Sequence, residues 1–262
     1  MPETSGFGIP GKRFDLADAL AGGNGFGTAD PNQKVDLRTA SVSGLRHNDV
    51  NPPIVGIVGT PAPAIPFVDF LFIADGSSGP VPVSSTGQRF RECPDTDGNA
   101  FAYITNGNFP RHIPGELMEQ VLGGVRYGTR SKPAISIHAN AGVTFDLQAI
   151  RASMSGVRLA QFTGLCGISK TAEATLRREG EHASRTRADF WVLVDGQVRF
   201  RRQETEVLSG VTRVSVELQD DHRFLSLIVT DGGNGNGFDW GIFAEPALKL
   251  TLDEQVTDGL GV

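Results

Sequence analysis

The run Phe190-Trp191-Val192-Leu193-Val194, followed by Asp195-Gly196 and then Gln197-Val198-Arg199-Phe200-Arg201, constrains this chain more than any other stretch. A type I′ turn needs positive φ at both central residues, and Asp-Gly between two apolar runs supplies it. The stretch predicts an antiparallel hairpin. Its first strand is apolar on both faces and is expected to be central, with Trp191 in the core. Its second strand alternates, so one face should meet water.

Strands continue on both sides of this hairpin. Val214, Val216 and Leu218 alternate with polar neighbours, Asp220-Asp221 makes a turn, and Phe224 to Val229 returns. Ala247 to Leu250 closes the pattern, while Ile135 to His138, Val143 to Asp146 and Val157 to Phe162 precede it. Upstream, Phe67 to Ile73, Val81 to Ser85 and Phe101 to Ile104 are further candidates, but the Pro-rich Thr60 to Pro66 cannot be a central strand. Helical signals are few. Pro114 to Leu122 has Pro near its start and Gly123-Gly124 at its end, which predicts a two-turn helix. Residues 171–182, rich in Glu and Arg, read as a solvated loop between strands rather than a helix. Gly and Pro, 33 and 15 of 262 residues, fit many short elements joined by turns. The predicted class is all-β: an antiparallel β-sandwich with one or two short helices.

The chemistry of many enzyme classes is missing from the sequence. It has no GxSxG elbow, HExxH, Walker loop or GxGxxG, and its five histidines never take a metal-ligand spacing. A net charge of −6 gives no nucleic-acid footprint. No apolar run approaches the length of a membrane span. The opening Met1 to Gly6 has neither a basic nor an apolar signal region, so no signal peptide is visible in this chain. Cys93 and Cys166 fit either a disulfide in an exported protein or two buried thiols.

Two glycine-rich loops remain, Gly22 to Gly27 and Gly232 to Asp239. One reading is a tight loop whose residues need positive φ. The other is a binding loop, in which glycines let a polar ligand approach the backbone while Asn234, Asn236 and Asp239 supply hydrogen bonds. Trp240 follows that loop, where ligand contact becomes plausible. Asp95 to Asn99 reads as an Asx-type turn.

From Ser136 to Leu250 the chain resembles the NPCBM family, carbohydrate-binding modules related to family 51. Ile137-His138-Ala139-Asn140, Val143-Thr144-Phe145-Asp146-Leu147, Phe190 to Gly196, Leu225-Ser226-Leu227-Ile228-Val229-Thr230-Asp231 and Asp239-Trp240 follow the family's order. Phe14-Asp15-Leu16-Ala17-Asp18 with Gly25-Phe26-Gly27 resembles its opening. The family ends in D-H-x-D-W-A-D-A-x-L. Here Trp240 stands for the His, Ile242 for an Asp, Phe243 for the Trp and Glu245 for the last Asp.

The resemblance implies a galactose-binding-like jelly roll that holds a sugar without cleaving it. It implies one domain over 12–252, with 44–133 an insertion and 1–11 and 253–262 flexible tails. His138, Asn140, Asp231, Asn234, Asn236, Asp239 and Trp240 are then the ligand-binding candidates. Asp18 and Glu245, near the two ends, would hold a structural calcium. A glycan is the implied partner, and an extracellular or cell-surface setting within a longer exported protein is implied with it. Only two Trp and two Tyr offer broad faces for stacking on a sugar ring. That scarcity, with the long insertion, leaves open a structural or protein-interaction module on the same fold without a sugar site.

Overall fold

In a computed structural model that describes residues 13–46, 49, 51–110, 117–182 and 185–252, the Asp-Gly hairpin forms as its sequence dictates. Asp195 and Gly196 take φ of +50° and +76° between strands Ala188–Val194 and Gln197–Thr205. Every residue of the first strand is buried, while the second alternates. The tails 1–11 and 253–262, with the start of the predicted helix at 114–116, lie outside the described residues.

This hairpin is one edge of a six-stranded antiparallel sheet. Its order is Gln197–Thr205, Ala188–Val194, Phe224–Thr230, Ala141–Asp146, Val68–Ile73 and Gly59–Pro61. The Pro-containing strand lies at the far edge, where its missing N–H breaks no ladder. Facing it is an eight-stranded sheet. Its order is Thr212–Glu217, Val157–Ile168, Trp240–Leu252, Ala134–His138, Tyr103–Thr105, Gln33–Asp36 and Val42–Gly44, with Arg13–Asp15 also paired to Trp240–Leu252. Between the sheets a single cluster joins Phe14, Phe145, Phe162, Phe190, Leu227 and Phe243. The molecule is an all-β sandwich, and strands from both halves of the chain share each sheet.

The segment 44–133 covers outer faces that would otherwise meet water. The small hairpin of Val81–Pro82 and Arg89–Phe90 packs Val81, Val83 and Phe90 on the outer side of the six-stranded sheet, over Phe72, Trp191 and Ile228. Trp191 is 2% exposed and donates its indole N–H to Thr230 Oγ1 at 2.9 Å. A second hairpin, Gln120–Leu122 with Val125–Tyr127, lays Leu122 and Tyr127 over Ile242 and Ala244 of the other sheet. Cys93 and Cys166 are free and buried in separate clusters.

Three sequence expectations are corrected. Leu117–Met118 and Gln120–Leu122 are short strands, not helix, because pairing with Phe109–Pro110 and Val125–Tyr127 and burial of Leu122 outweigh a short helical pattern. Residues 170–179 are a helix, not a loop. Ser169 caps its start, Gly180 at φ +74° ends it, and Ala172, Glu173 and Leu176 make a narrow buried stripe. The third concerns the α-helices, of which there are three among the described residues where one or two were expected. Leu16–Leu20 and Leu147–Ala152 each follow a strand directly and are capped by Asp15 and Asp146.

Candidate functional site

The structure brings together most of the loop residues expected to bind a ligand, and it turns many of their polar groups on each other. Asn140 sits at φ +70° in the turn that carries the chain from Ala134–His138 in one sheet to Ala141–Asp146 in the other. Its Nδ2 lies 2.7 Å from Asp97 Oδ1, 3.0 Å from the Asn99 carbonyl and 3.1 Å from Asp231 Oδ2. Its Oδ1 accepts from the Asp231 N–H at 3.1 Å. Asp231 in turn accepts from Asp97 N–H and Gly233 N–H. Asn236 donates to Asp97 Oδ2 and to the Asn99 carbonyl, and Asn234 to the Arg185 carbonyl. Three loops, 95–99, 139–140 and 231–239, are thereby tied into one polar closure. The Asx turn at Asp97 forms as expected, with Asn99 N–H on its carboxylate at 2.9 Å.

Gly232 is required here. It takes φ +60°, and a Cβ would stand 2.6 Å from Arg187 Cγ. Asp239 is fully buried, its Oδ1 accepting the Arg187 N–H at 2.8 Å while Oδ2 has no hydrogen-bond partner. Burial pushes its carboxyl up to about 9, the Arg187 bond opposes the shift, and Asp231, Asp97 and Asp189 add to it. Trp240 is 2% exposed beside Phe238, and His138 is buried against Phe101 with ring centroids 4.0 Å apart. Of the seven candidates, Asn234 and Asn236 reach solvent.

Asp18 and Glu245 line different cavities. Asp18 is buried, and its two carboxylate oxygens accept the N–H groups of Gly25 at 2.7 Å and Ala29 at 2.6 Å. It therefore holds the Gly22–Gly27 loop in place. The chain ends do approach each other, since Pro133 lines a cleft of about 30 Å³ with Asp18 and accepts the Glu245 N–H at 2.8 Å. The Glu245 side chain belongs to a larger groove instead. Among the described residues no three His, Cys, Asp or Glu side chains form a metal-holding group. Side chains alone therefore do not fit a calcium ion, which would need backbone carbonyls for most of its six to eight oxygens.

That larger groove was not read from the sequence. It encloses about 670 Å³ on the outer face of the eight-stranded sheet, next to the hairpin that covers Ile242. Its cause is local. Glu245 takes φ +48° and Pro246 has no N–H, so the register of Trp240–Leu252 against Val157–Ile168 shifts between Thr163↔Ala247 and Leu165↔Ala244. Before the bulge the strand pairs with Ala134–His138, and after it with Arg13–Asp15. The floor is polar. Arg13, Lys249 and Gln161 form one cross-strand row, Thr163 and Ser215 the next, and Arg213 lies opposite Leu165. Arg13 Nη2 reaches Thr163 Oγ1 at 3.0 Å and the Glu245 carbonyl at 3.3 Å.

The replacement of an acidic family residue by Ile242 now has a cause, because this position is fully buried under Leu122 and Tyr127. Residues 134–249 match the NPCBM/NEW2 domain family. The resemblance read from the sequence is thus shown for that segment, and 44–133 lies outside it. Solved structures that the chain is similar to include the M60 catalytic domain with two CBM51 domains from Clostridium perfringens ZmpB. That likeness has 22% identity and a TM-score of 0.40, covering 52% of this chain and 12% of that one. A CBM51 from Clostridium perfringens GH95, in complex with methyl-galactose, is 19% identical at TM-score 0.38, covering 68% of this chain and 91% of that one. Tandem CBM51 modules of a family 98 glycoside hydrolase from Streptococcus pneumoniae are 14% identical at TM-score 0.41, covering 56% and 41%. No curated protein matches. Among the described residues no helix is long and apolar enough to cross a membrane.

Proposed function

We propose that this protein is a non-catalytic carbohydrate-binding module acting outside the cell, with 12–252 as one domain and 44–133 as an insertion within it. The observation that carries the reading is the open groove beside the bulge at Glu245, lined by both polar and aliphatic side chains, on a sandwich whose 134–249 segment matches the NPCBM/NEW2 domain. Its size suits one or a few sugar rings. Hydroxyl and charged groups from Thr163, Ser215 and Arg13 line it, as a ligand rich in hydroxyls requires, while the Gln161 amide is taken up by Glu217. Glu245 is the one carboxylate among the lining residues, whereas glycoside hydrolysis commonly uses two. A binding role fits that better than a catalytic one. Asn234 and Asn236 at the loop edge are kept as a second place for sugar contact.

Calcium enters the proposal as a stabilising ion near the chain ends, held mostly by backbone carbonyls with Glu245 as its carboxylate, because Asp18 lines a different cavity and spends both oxygens on the Gly22–Gly27 loop and Ala29. The protein-interaction reading is favoured by Val55 and Val58, 69% and 39% exposed near the edge strand Gly59–Pro61. A glycan array, run in calcium and in chelator, tests the main reading. Binding of at least one saccharide supports it. Binding of none across neutral and charged glycans overturns it in favour of the protein-partner reading.

A further inference from the structure

We propose that the groove takes an acidic saccharide, one bearing carboxylate or sulfate groups, an inference that rests on the sugar-binding reading above. The lining contains three cations, Arg13, Lys249 and Arg213, and one acid, Glu245; Glu217, next to Gln161 in the same cross-strand row, is a second acid at the edge, and the cations still outnumber the acids. This excess runs against the formal net charge of −6 of the whole chain, so it is a local feature and not a reflection of composition. Arg13 and Lys249 are cross-strand partners on the outer face, and both are exposed. Arg213 is exposed on the neighbouring strand. Among the described residues neither Arg213 nor Lys249 has an ion pair, whereas Arg158 nearby is paired with Asp220 at 3.0 Å.

Arg13 is held by Thr163 and the Glu245 carbonyl through one nitrogen, and those partners fix its direction without neutralising it. A guanidinium so placed suits a carboxylate or sulfate, whose oxygens match its parallel N–H groups. The groove lining has no aromatic side chain, so the stacking platform that commonly holds a neutral sugar ring is absent from it. Charge therefore carries the affinity, and neutral groups such as Thr163 and Ser215 are left to read hydroxyls. A low-dielectric sheet face also focuses the field of clustered like charges.

The test is titration calorimetry on the full chain with three probes of similar length: an oligogalacturonate, a neutral galacto-oligosaccharide and inorganic polyphosphate. The expected order is the oligogalacturonate well ahead of the others, with affinity falling as salt rises. Arg213→Gln and Lys249→Gln should each weaken the acidic probe about tenfold, the effect of losing one charge-assisted hydrogen bond. Unchanged thermal melting confirms that these exposed variants fold. Equal binding of the neutral probe, or acidic binding untouched by both substitutions, overturns this inference while leaving the sugar-binding reading standing. Polyphosphate binding as tightly as the uronate overturns it as a general anion patch. Failure of both saccharides overturns this inference, and the glycan array then decides the sugar-binding reading.

Discussion

Asp239→Asn should remove a loss of stability that the parent protein suffers as pH rises, so the variant's advantage over the parent grows with pH. The folded carboxyl titrates at about 9 against an ordinary value of 3.8, with burial as the main cause. Below pH 3.8 both folded and unfolded chains hold the proton, and the contribution to stability is complete. Between 3.8 and 9 the unfolded chain has lost a proton that the folded one keeps, so stability falls by about 1.4 kcal/mol per pH unit. From pH 4 to pH 7 the loss reaches about 4 kcal/mol, and it levels off above pH 9. Asparagine keeps the acceptor for the Arg187 N–H and places an uncharged amide where Asp231, Asp97 and Asp189 repel a second charge. Urea unfolding followed by Trp fluorescence at several pH values reads the difference. Asp15, pushed up to about 6 by burial, gives both proteins a shared slope, so the gap between them isolates Asp239. Parallel curves for the two proteins from pH 4 to pH 9 would refute the argument.

Asn140→Ala removes three donor contacts and one acceptor that join loops 95–99 and 231–239, and it should cost about 2–4 kcal/mol in thermal or urea unfolding. Ile242→Asp restores the family's acid under the hairpin of Leu122 and Tyr127, and should destabilise by about 3–5 kcal/mol or expose 120–127 to proteolysis. A calcium ion near the chain ends should raise the melting temperature in millimolar calcium over chelator, and Glu245→Gln should remove the rise. Equal temperatures, with no metal by elemental analysis, retire the ion.

The parts of the fold that sequence reading reached are those set by neighbouring residues. Asp195-Gly196 had one favourable turn geometry available, and the apolar run from Phe190 had no polar face to show water. The helix at 170–179 was missed because its buried stripe is just Ala172, Glu173 and Leu176, with Glu173 salt-bridged to Arg177 and so able to sit against the core. Its cap signals, Ser169 and Gly180, were in the sequence and outrank composition. Strand rather than helix at 117–122 depends on partners that the local pattern does not contain. By sequence alone Ile242 reads as a lost carboxylate, whereas in the fold it packs under the insertion hairpin. The loop polar residues do come together in space, but sequence spacing does not tell a group that binds outward from one that bonds to itself. The groove was illegible for a different reason. Its wall is drawn from residues near 13, 161, 213 and 249, which only the sheet order brings together, and its opening is made by positive φ at a glutamate.

Hydrogen–deuterium exchange with and without a saturating acidic oligosaccharide tests the central claim most directly. The account predicts slowed exchange in 159–165, 212–215 and 245–251, the strands that line the groove, with the closure around Asn140 protected equally in both states. Ligand-dependent protection confined to the Gly232–Asp239 loop, or none anywhere, would contradict it.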